Sequence, residues 1–473
     1  MNTRSPLVLA GMLAAAVCLG FFAITHVSYF ANIDFLGALL LLQLLLVGLC
    51  KFEKIFFPML MIAFLWAGLR VPLQGVWTQA RWAVLGVGAV GGLVIWIQRR
   101  HQPFRLFHLA AALCILGATV SAIVSAIPIL ALSKAGSLFL LFLYGTGGIR
   151  LAIMGRESRF FNGLLLACEI TAYLSAVCYL VLGLRIFGNQ NSLGAAISIG
   201  VLPVLLWGWY VGEPGLLRTR RLMALLLAAS LVFFSMSRAA IFSVSLVCVA
   251  LCMALREYKL LVRVGSAVVC LIAFVGVLSP TTFDRSATEL TDTVLYKGHK
   301  DEGLLGSRQT PWQETVSEIK RHPFFGSGFG TSPTEADASR KFGRFSSTAE
   351  SNREHGSSYM AIVEWEGLLG IMPFAILLLL VAWQIWKVFA WLRRTRDPRH
   401  YSVLLAMVLL AGLAHASFED WLFAVGSYAC VFFWSLAFAL GDFLPAPVPV
   451  RLRSASFAYP RFGEHLHAPL QGR

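Results

Sequence analysis

The stretch GLLGIMPFAILLLLVAWQIW, residues 367–386, contains no charged side chain. An α-helix rises about 1.5 Å per residue, so a stretch of this length reaches across the ~30 Å hydrocarbon core of a bilayer. Apolar stretches with almost no charge also lie at 6–24 and 160–184. A segment of this kind satisfies its backbone hydrogen bonds in lipid by forming a helix. These stretches therefore predict membrane-spanning helices.

The composition of the whole chain extends this interpretation. Of its 473 residues, 58% are hydrophobic and 13% are charged, whereas a soluble domain carries about 25% charged residues. We therefore predict an all-α, polytopic integral membrane protein with about 12–14 transmembrane helices. The number of helices is given as a range because neighbouring segments could form one re-entrant element. The apolar segments lie approximately at 6–24, 35–50, 55–69, 82–98, 106–124, 129–146, 160–184, 192–212, 222–236, 239–255, 264–279, 367–386, 401–417 and 421–440.

Positive charge predicts the orientation. Lys and Arg concentrate in alternate loops, counted from Arg4, and positively charged short loops stay in the cytoplasm. We therefore expect both termini in the cytoplasm. The first apolar segment lacks a small-x-small cleavage site, so we expect it to remain as an uncleaved helix. The positive loops contain Lys51, Lys54, Arg99, Arg100, Arg105, Arg150, Arg156, Arg159, Arg218, Arg220, Arg221, Arg256, Lys259, Arg263, Arg393, Arg394, Arg396 and Arg399.

One long polar interval, residues 280–357, is predicted to lie outside the cytoplasm. It carries a net charge of −1 in a chain of net charge +15. A loop of this length in a compact protein is usually functional or disordered, and Pro311 with the periodicity of residues 312–319 predicts a helix within it. We divide the chain into N-terminal transmembrane helices (1–184), transmembrane helices with outer-face motifs (185–279), a large periplasmic loop (280–357), C-terminal transmembrane helices (358–441) and a disordered cytoplasmic tail (442–473).

Two other classes of function are disfavoured by the sequence. The net charge of +15 does not indicate nucleic acid, because Lys and Arg lie in short loops and form no stripe interleaved with aromatic residues. The nine cysteines lie in apolar runs. Their spacing is not that of metal ligands, so we interpret them as packing residues.

Polar residues collect on the predicted outer face. Ionisable groups near a bilayer are costly and so indicate function by default. Each also has a structural interpretation: the arginines could contact lipid phosphates or water, the asparagines could cap a helix, and the hairpin residues could pair with one another or with a loop arginine. The candidates are Arg185, Asn189, Gln190, Asn191, Arg238, Arg308, His355, His415, Glu419 and Asp420.

His355 opens the segment HGSSYMAIVEWEGLLG, residues 355–370. The interval from His355 to Glu366 is close to three helical turns, so we expect both side chains on one face. Gly367 and Gly370 allow a bend or close helix packing. A neutral imidazole at the membrane surface suits proton abstraction from a sugar hydroxyl near pH 7. His355 is therefore the candidate base.

The segment from His355 to Gly370 resembles the His-x-(Asn/Ser/Gln)-x9-Gly-x-x-Gly signature of the O-antigen ligase and Wzy-type polymerase superfamily, which builds bacterial envelope glycans. Three further stretches are similar to patterns of that family and lie in the same order. They are GNQNSLG (188–194), SRAA (237–240), and the loop pattern GSRQTPW (306–312) with HPFFGSGFG (322–330). Together they cover roughly residues 185–375.

The resemblance implies a GT-C-like glycosyltransferase of the bacterial inner membrane whose active site faces the periplasm. Its donor would be a glycan on undecaprenyl diphosphate, and its acceptor a hydroxyl of lipid A core (ligase) or of a second lipid-linked glycan (polymerase of O-antigen or exopolysaccharide). No cofactor, metal or nucleotide sugar is expected. By position, His355 would be the catalytic base, and Arg238 and Arg308 would bind the diphosphate. Substrate contacts would come from Arg185, Asn189, Asn191, Ser357 and Glu419.

The chemistry of these residues agrees with that expectation. A diphosphate leaving group needs cationic partners, and the planar guanidinium of Arg binds phosphate oxygens in pairs. One base acting while the diphosphate departs predicts inversion at the anomeric carbon. The rival interpretation is a transporter of lipid-linked glycans, which would explain the many spans and Glu169 in the middle of a segment. Transporters, however, usually place charges along a midplane path.

Overall fold

The computed structural model describes residues 33–71, 74–98, 105–259, 306–331 and 355–445, with scattered positions between 262 and 270. Within these ranges every regular element is helical, which confirms the all-α prediction. The helices are α1 (Ile33–Cys50), α2 (Phe52–Gly68), α3 (Gln74–Gln98), α4 (Leu106–Val124), α5 (Pro128–Ile153), α6 (Glu157–Ala176), α7 (Gln190–Ala195), α8 (Leu202–Val211), α9 (Leu216–Phe234), α10 (Arg238–Leu255), α11 (Gly306–Arg321), α12 (Ser358–Thr395), α13 (Tyr401–Ala416) and α14 (Tyr428–Leu440).

Six helices in the described part of the chain are long and apolar enough to cross a membrane, so the protein is a polytopic membrane protein. Two of the six include a π-helical turn: Val177–Val181 extends α6, and Ala196–Val201 joins α7 to α8. The predicted segment at 6–24, most of the segment at 264–279 and the residues beyond 445 lie outside the described residues. The six spans are Leu106–Val124, Pro128–Ile153, Glu157–Val181, Gln190–Val211, Arg238–Leu255 and Ser358–Thr395.

The two last helices, α13 and α14, are shorter than a straight span but form the centre of the bundle. Every residue of α14 from Ala429 onward is buried, and aromatic rings fill the space around it. Trp434 and Phe438 pack against Phe142 of α5 with ring centroids 5.1 Å and 5.4 Å apart. The indole of Trp434 donates a hydrogen bond of 2.7 Å to the carbonyl of Leu422.

Close packing between α3 and α5 depends on glycine. A Cβ on Gly147 would lie 2.7 Å from the carbonyl oxygen of Gly92, and a Cβ on Gly92 would lie 2.9 Å from the amide nitrogen of Gly148. Lipid tails are as apolar as leucine, so helices in a membrane associate through such close approach rather than through a hydrophobic drive.

A glycine-rich turn after α11 packs onto a break in α12. Gly367 (φ 63°, ψ −170°) interrupts the helical geometry of α12. The amides of Leu368 and Leu369 then donate to the carbonyls of Pro323 and Phe324, at 2.8 Å and 3.1 Å. A Cβ on Gly326 (φ 72°) would lie 2.3 Å from the carbonyl oxygen of Trp365. The turn therefore fits α12 because no side chain stands between them.

Charged residues divide between the two ends of the bundle. At one end Arg156 binds Glu53 at 2.6 Å, and the guanidinium of Arg150 donates to Asp442 at 2.7 Å. Asp442 was expected to begin a disordered tail. Its pairing with Arg150 fixes Asp442 to α5, and the rest of the predicted tail beyond residue 445 lies outside the described residues. The opposite end carries the glycine-rich turn, where Lys134 of α5 donates to the carbonyl of Gly330.

Candidate active site

His355 and Asp420 form the central pair of the end opposite Arg150. His355 is 4% exposed, and its Nδ1 lies 3.0 Å from Oδ2 of Asp420. The backbone amide of His355 donates to the same oxygen at 3.2 Å. The indole of Trp365 packs edge-to-face on the imidazole with centroids 5.4 Å apart. His355 is therefore held by both its backbone and its ring.

Asp420 lies in an irregular segment between α13 and α14. The sequence predicted a continuous helix from 421, but α14 begins at Tyr428. Ser358, at the start of α12, holds this segment: its hydroxyl donates to the carbonyl of Glu419 at 2.6 Å and accepts from the amide of Leu422 at 3.1 Å. Because α14 starts later than predicted, the segment before it is irregular, and this segment places Asp420 beside His355.

Glu364, and not Glu366, faces the histidine. Nε2 of His355 lies 3.5 Å from Oε1 of Glu364. The expectation that Glu366 shares a face with His355 was wrong, because the helix begins at Ser358 and the residues before it are not helical. Glu366 is buried on another side of α12, where its carboxylate approaches Gly117 of α4 and Gly370.

Arg308 enters the same region from α11. It is 7% exposed, and its Nη2 lies 2.8 Å from Oε1 of Glu419. The amide of Asn191 donates to the same oxygen at 3.2 Å. Adjacent residues of one loop, Glu419 and Asp420, therefore join Arg308 and Asn191 to His355.

Gly356 sets the contact between His355 and α11. It adopts φ +70°, and a Cβ there would lie 3.0 Å from the indole nitrogen of Trp312 and 3.2 Å from Cδ of Arg308. L-residues with a side chain rarely adopt this backbone conformation. The glycine after His355 therefore lets α11 approach closely enough to place Arg308.

Arg238 is the first residue of α10 and is half-buried at this end. Ser237 caps the helix by accepting from the amide of Ala240 at 3.4 Å. Arg238 and Arg308 lie within electrostatic range of each other. Two guanidinium groups on different helices thus lie in one region at this end of the bundle.

The other sequence candidates have mainly local contacts. Asn189 caps α7 by accepting from the amide of Ser192 at 2.7 Å, and Ser357 caps α12 by accepting from Tyr359 at 3.3 Å. Nδ1 of the buried His415 accepts from the indole of Trp421 at 3.0 Å. The side chain of Arg185 is exposed and lines a separate cavity of about 10 Å³.

A cavity of about 210 Å³ connects several of these groups. Its polar lining combines amide, carboxylate and hydroxyl groups, which suit the hydroxyls of a sugar. Asp420 is 31% exposed and Glu419 is 19% exposed. The lining comprises Asn189, Asn191, Ser192, Ala195, His415, Glu419, Asp420, Trp421, Ser427, Tyr428 and Ala429.

The contact with Asp420 changes the protonation of His355. Burial lowers the pKa of His355, but hydrogen bonds to Asp420 and Glu364 outweigh burial and raise this pKa to about 9. Burial raises the pKa of Asp420, whereas its hydrogen bond to His355 holds that pKa below the usual value. At neutral pH the pair is therefore imidazolium and carboxylate, and the neutral imidazole expected from the sequence is not the resting form.

Glu169, the acid that favoured a transporter, has cationic partners in the structure. Its two carboxylate oxygens lie 2.8 Å from Arg220 and 3.6 Å from Arg221. Glu169 is therefore a buried carboxylate with charged partners.

The fold and this polar end define a polytopic membrane protein with a site at one end of its helix bundle. Residues 223–362 match the Wzy_C family, described as O-antigen ligase. This match supports the resemblance to the O-antigen ligase and Wzy-type superfamily seen in the sequence, and the matched residues include Arg238, Arg308 and His355. At the level of the family, this implies a membrane enzyme that transfers glycans. A comparison with curated proteins gives no match.

Proposed function

We propose that this protein is an inverting, metal-independent glycosyltransferase that moves a glycan from undecaprenyl diphosphate to a hydroxyl acceptor at the periplasmic face of the bacterial inner membrane. The observation that carries the proposal is the convergence of Arg308 and His355 on adjacent residues, Glu419 and Asp420, at the rim of one polar cavity. The family match supports glycosyl transfer as the class of reaction.

Arg238 and Arg308 would hold the diphosphate of the donor. Guanidinium groups stay charged at all physiological pH values and bind phosphate oxygens in pairs. Glu419 holds Arg308 at 2.8 Å, so the guanidinium is positioned before the donor arrives. Such fixed charges favour the transition state, because charge develops on the departing diphosphate.

In the transfer step the acceptor oxygen attacks the anomeric carbon of the donor. A new carbon–oxygen bond forms while the bond from that carbon to the diphosphate breaks, and the electron pair leaves with the diphosphate. The proton of the acceptor hydroxyl passes to the enzyme base. Attack opposite the leaving group inverts the anomeric configuration.

The base is the His355–Asp420 pair rather than His355 alone. Both hydrogen bonds from His355 go to Oδ2 of Asp420, and Asp420 lines the cavity. Its Oδ1 is thus available to accept the proton of a bound sugar hydroxyl. Nε2 of His355 points towards Glu364, so the imidazole positions the carboxylate and stabilises its charge.

The acceptor side of the cavity would take sugar hydroxyls. Asn191 and Glu419 present an amide and a carboxylate there, and such groups bind hydroxyls as donor and acceptor. An acceptor on lipid A core would make the protein a ligase. A second lipid-linked glycan would make it a polymerase of O-antigen or exopolysaccharide.

Reconstitution tests this proposal. The purified protein is given lipid-linked oligosaccharide with or without lipid A core, and the products are resolved on a gel. A shifted core band identifies a ligase, and a ladder without core identifies a polymerase. Arg308→Gln and His355→Ala should abolish either product. If wild-type protein yields neither product, the proposed function is wrong.

A further inference from the structure

An apolar groove of about 500 Å³ runs along the side of the bundle between α2, α6, the π-helical turn and α14. Along α2 it extends from Glu53 to Leu65, a helical length of about 18 Å, which exceeds half of the ~30 Å core of a bilayer. Its walls are mostly apolar, with Phe57, Met61 and Leu164 among the lining residues. The charged residues of the lining are Glu53, Lys54, Arg156 and Arg159. The shape fits an extended hydrocarbon chain.

The groove is continuous with the polar cavity of the candidate active site. Ala195, Tyr428 and Ala429 line both. The hydroxyl of Tyr428 donates to the carbonyl of Ser192, which lines the polar cavity, at 3.0 Å. A molecule with its chain in the groove would therefore place its polar portion at Asp420.

This groove lies on the side of α7 away from Arg238. Gly194 of α7 faces α10, because a Cβ there would lie 2.8 Å from Cβ of Ser237. The neighbouring Ala195 instead faces the groove. The groove and the start of α10, which carries Arg238, thus lie on different faces of α7.

Two other arginines lie beside the loops that border the groove side of the cavity. Arg81 donates to the carbonyl of Gly426 at 2.7 Å, and its buried Nε has no hydrogen-bond partner among the described residues. Arg70 lies beside Gly188, the residue before Asn189. A Cβ added to Gly188 would lie 3.2 Å from Nε of Arg70. Cationic groups above an apolar groove complement a lipid that carries a phosphate headgroup.

We propose that the groove between α2, α6 and α14 binds the polyprenyl chain of a second lipid-linked glycan, the acceptor, with Arg70 and Arg81 facing its diphosphate. This inference rests on the proposed function and deepens it, because it assigns separate lipid sites to donor and acceptor on the two faces of α7. The glycan of the acceptor then reaches from Arg81 to Asp420. The groove accordingly favours polymerisation over transfer to lipid A core.

Counting bound lipids tests the two sites without any catalysis. Native mass spectrometry of the full chain, released from nanodiscs that contain undecaprenyl diphosphate, should show two bound copies. Ala167→Trp fills the groove and should remove one copy, whereas Arg308→Gln should remove the other. Leu166→Trp is the matched control, because Leu166 is 50% exposed on the same helix and does not line the groove; it should keep both copies.

Kinetics assign the groove to the acceptor. Ala167→Trp and Arg81→Gln should each raise KM for the lipid-linked acceptor by roughly tenfold or more and leave KM for the donor unchanged. Two copies bound to Ala167→Trp, a single copy on the wild type, or a raised KM for the donor would each overturn the inference. If two copies bind but no glycan is transferred, the proposed function is wrong and the inference of two lipid sites stands.

Discussion

His355 and Asp420 show how two residues far apart in the chain become one chemical group. Oδ2 of Asp420 accepts two hydrogen bonds from His355, and Asp420 also lines the cavity. Burial raises the pKa of the carboxyl, but the hydrogen bond and the charge of the imidazolium together hold this pKa below its usual value. A paired carboxylate of this kind is ionised at neutral pH and is ready to accept a hydrogen bond.

Asp420→Asn should abolish the proposed transfer while the protein remains folded. The amide cannot take a proton, and general-base catalysis contributes about 10²–10⁴-fold to rate, so kcat should fall by that factor with little change in donor binding. The measurement is the initial rate of glycan transfer. Asp397→Asn, an exposed carboxylate in the loop before α13, is the control; equal rates for the two variants would refute the role of Asp420.

The His355–Asp420 pair should also make stability depend on pH. The pKa of His355 rises on folding from 6.5 to about 9, so its contribution is full below about 6.5 and is lost as pH rises through about 9. The pKa of Asp420 falls below its usual 3.8, so its contribution is lost only in strong acid. The difference in Tm between wild type and His355→Gln should be largest near pH 5–6 and should shrink above pH 9. A difference that does not vary with pH would contradict this pairing.

Sequence reasoning identified His355, Arg308 and Arg238 as candidates because each stands in a polar motif beside an apolar run. It included Asp420 among the polar residues of the outer face but did not pair it with His355, since Asp420 follows His355 by many residues and no local periodicity links them. Glu364 was missed for a different reason. A helix counted from His355 predicts Glu366 on the same face, but the first helical residue is Ser358, so Glu364 faces the ring instead.

The turn after α11 and the break in α12 hold the site in place. The amides of Ser327 and Gly328 donate to the carbonyls of Glu364 and Trp365 at 2.9 Å and 3.2 Å. These carbonyls lie just before the break at Gly367, where helical partners are missing. The turn therefore supplies the hydrogen bonds that the interrupted helix lacks, and it fixes the residues that pack on His355.

Gly326→Ala should destabilise this contact more than a comparable glycine substitution elsewhere. Both Gly326 (φ 72°) and Gly155 (φ 74°) lie in the left-handed region, but only at Gly326 would the new Cβ meet backbone, the carbonyl of Trp365. Both variants share the cost of a side chain at positive φ, about 1–3 kcal/mol, and Gly326→Ala adds the clash with the backbone of Trp365. Thermal unfolding in detergent should show a lower Tm for Gly326→Ala than for Gly155→Ala, and the reverse order would contradict the proposed packing.

Hydropathy located the helices well but not their ends near the site. The predicted segment at 421–440 is apolar throughout, yet the structure begins α14 at Tyr428. The earlier residues satisfy their backbone groups through Ser358 and through the indole of Trp434. Such tertiary partners are invisible in a local pattern, and they decide where an apolar segment stops being helical.

For the molecule as a whole, the separation of charged groups between two ends matches the charge pattern of the sequence. Arg105, Arg150 and Arg156 gather at one end with Asp442 and Glu53. His355, Arg308 and Lys134 gather at the other, beside the glycine-rich turn. Loop arginines predicted to be cytoplasmic are therefore grouped together in space, on the end away from the cavity.

Sidedness should follow from this separation, with the Arg150 end in the cytoplasm and the His355 end in the periplasm. Two isosteric probes, Ser158→Cys and Ser317→Cys, place one thiol at an exposed position of each end in a variant whose native cysteines are replaced by alanine. A membrane-impermeant maleimide applied to intact spheroplasts should label Ser317→Cys at once and Ser158→Cys only after permeabilisation. Labelling in the opposite order would invert the topology and remove the site from the periplasm, because a lipid-linked donor presented on the outer leaflet could then no longer reach Arg308.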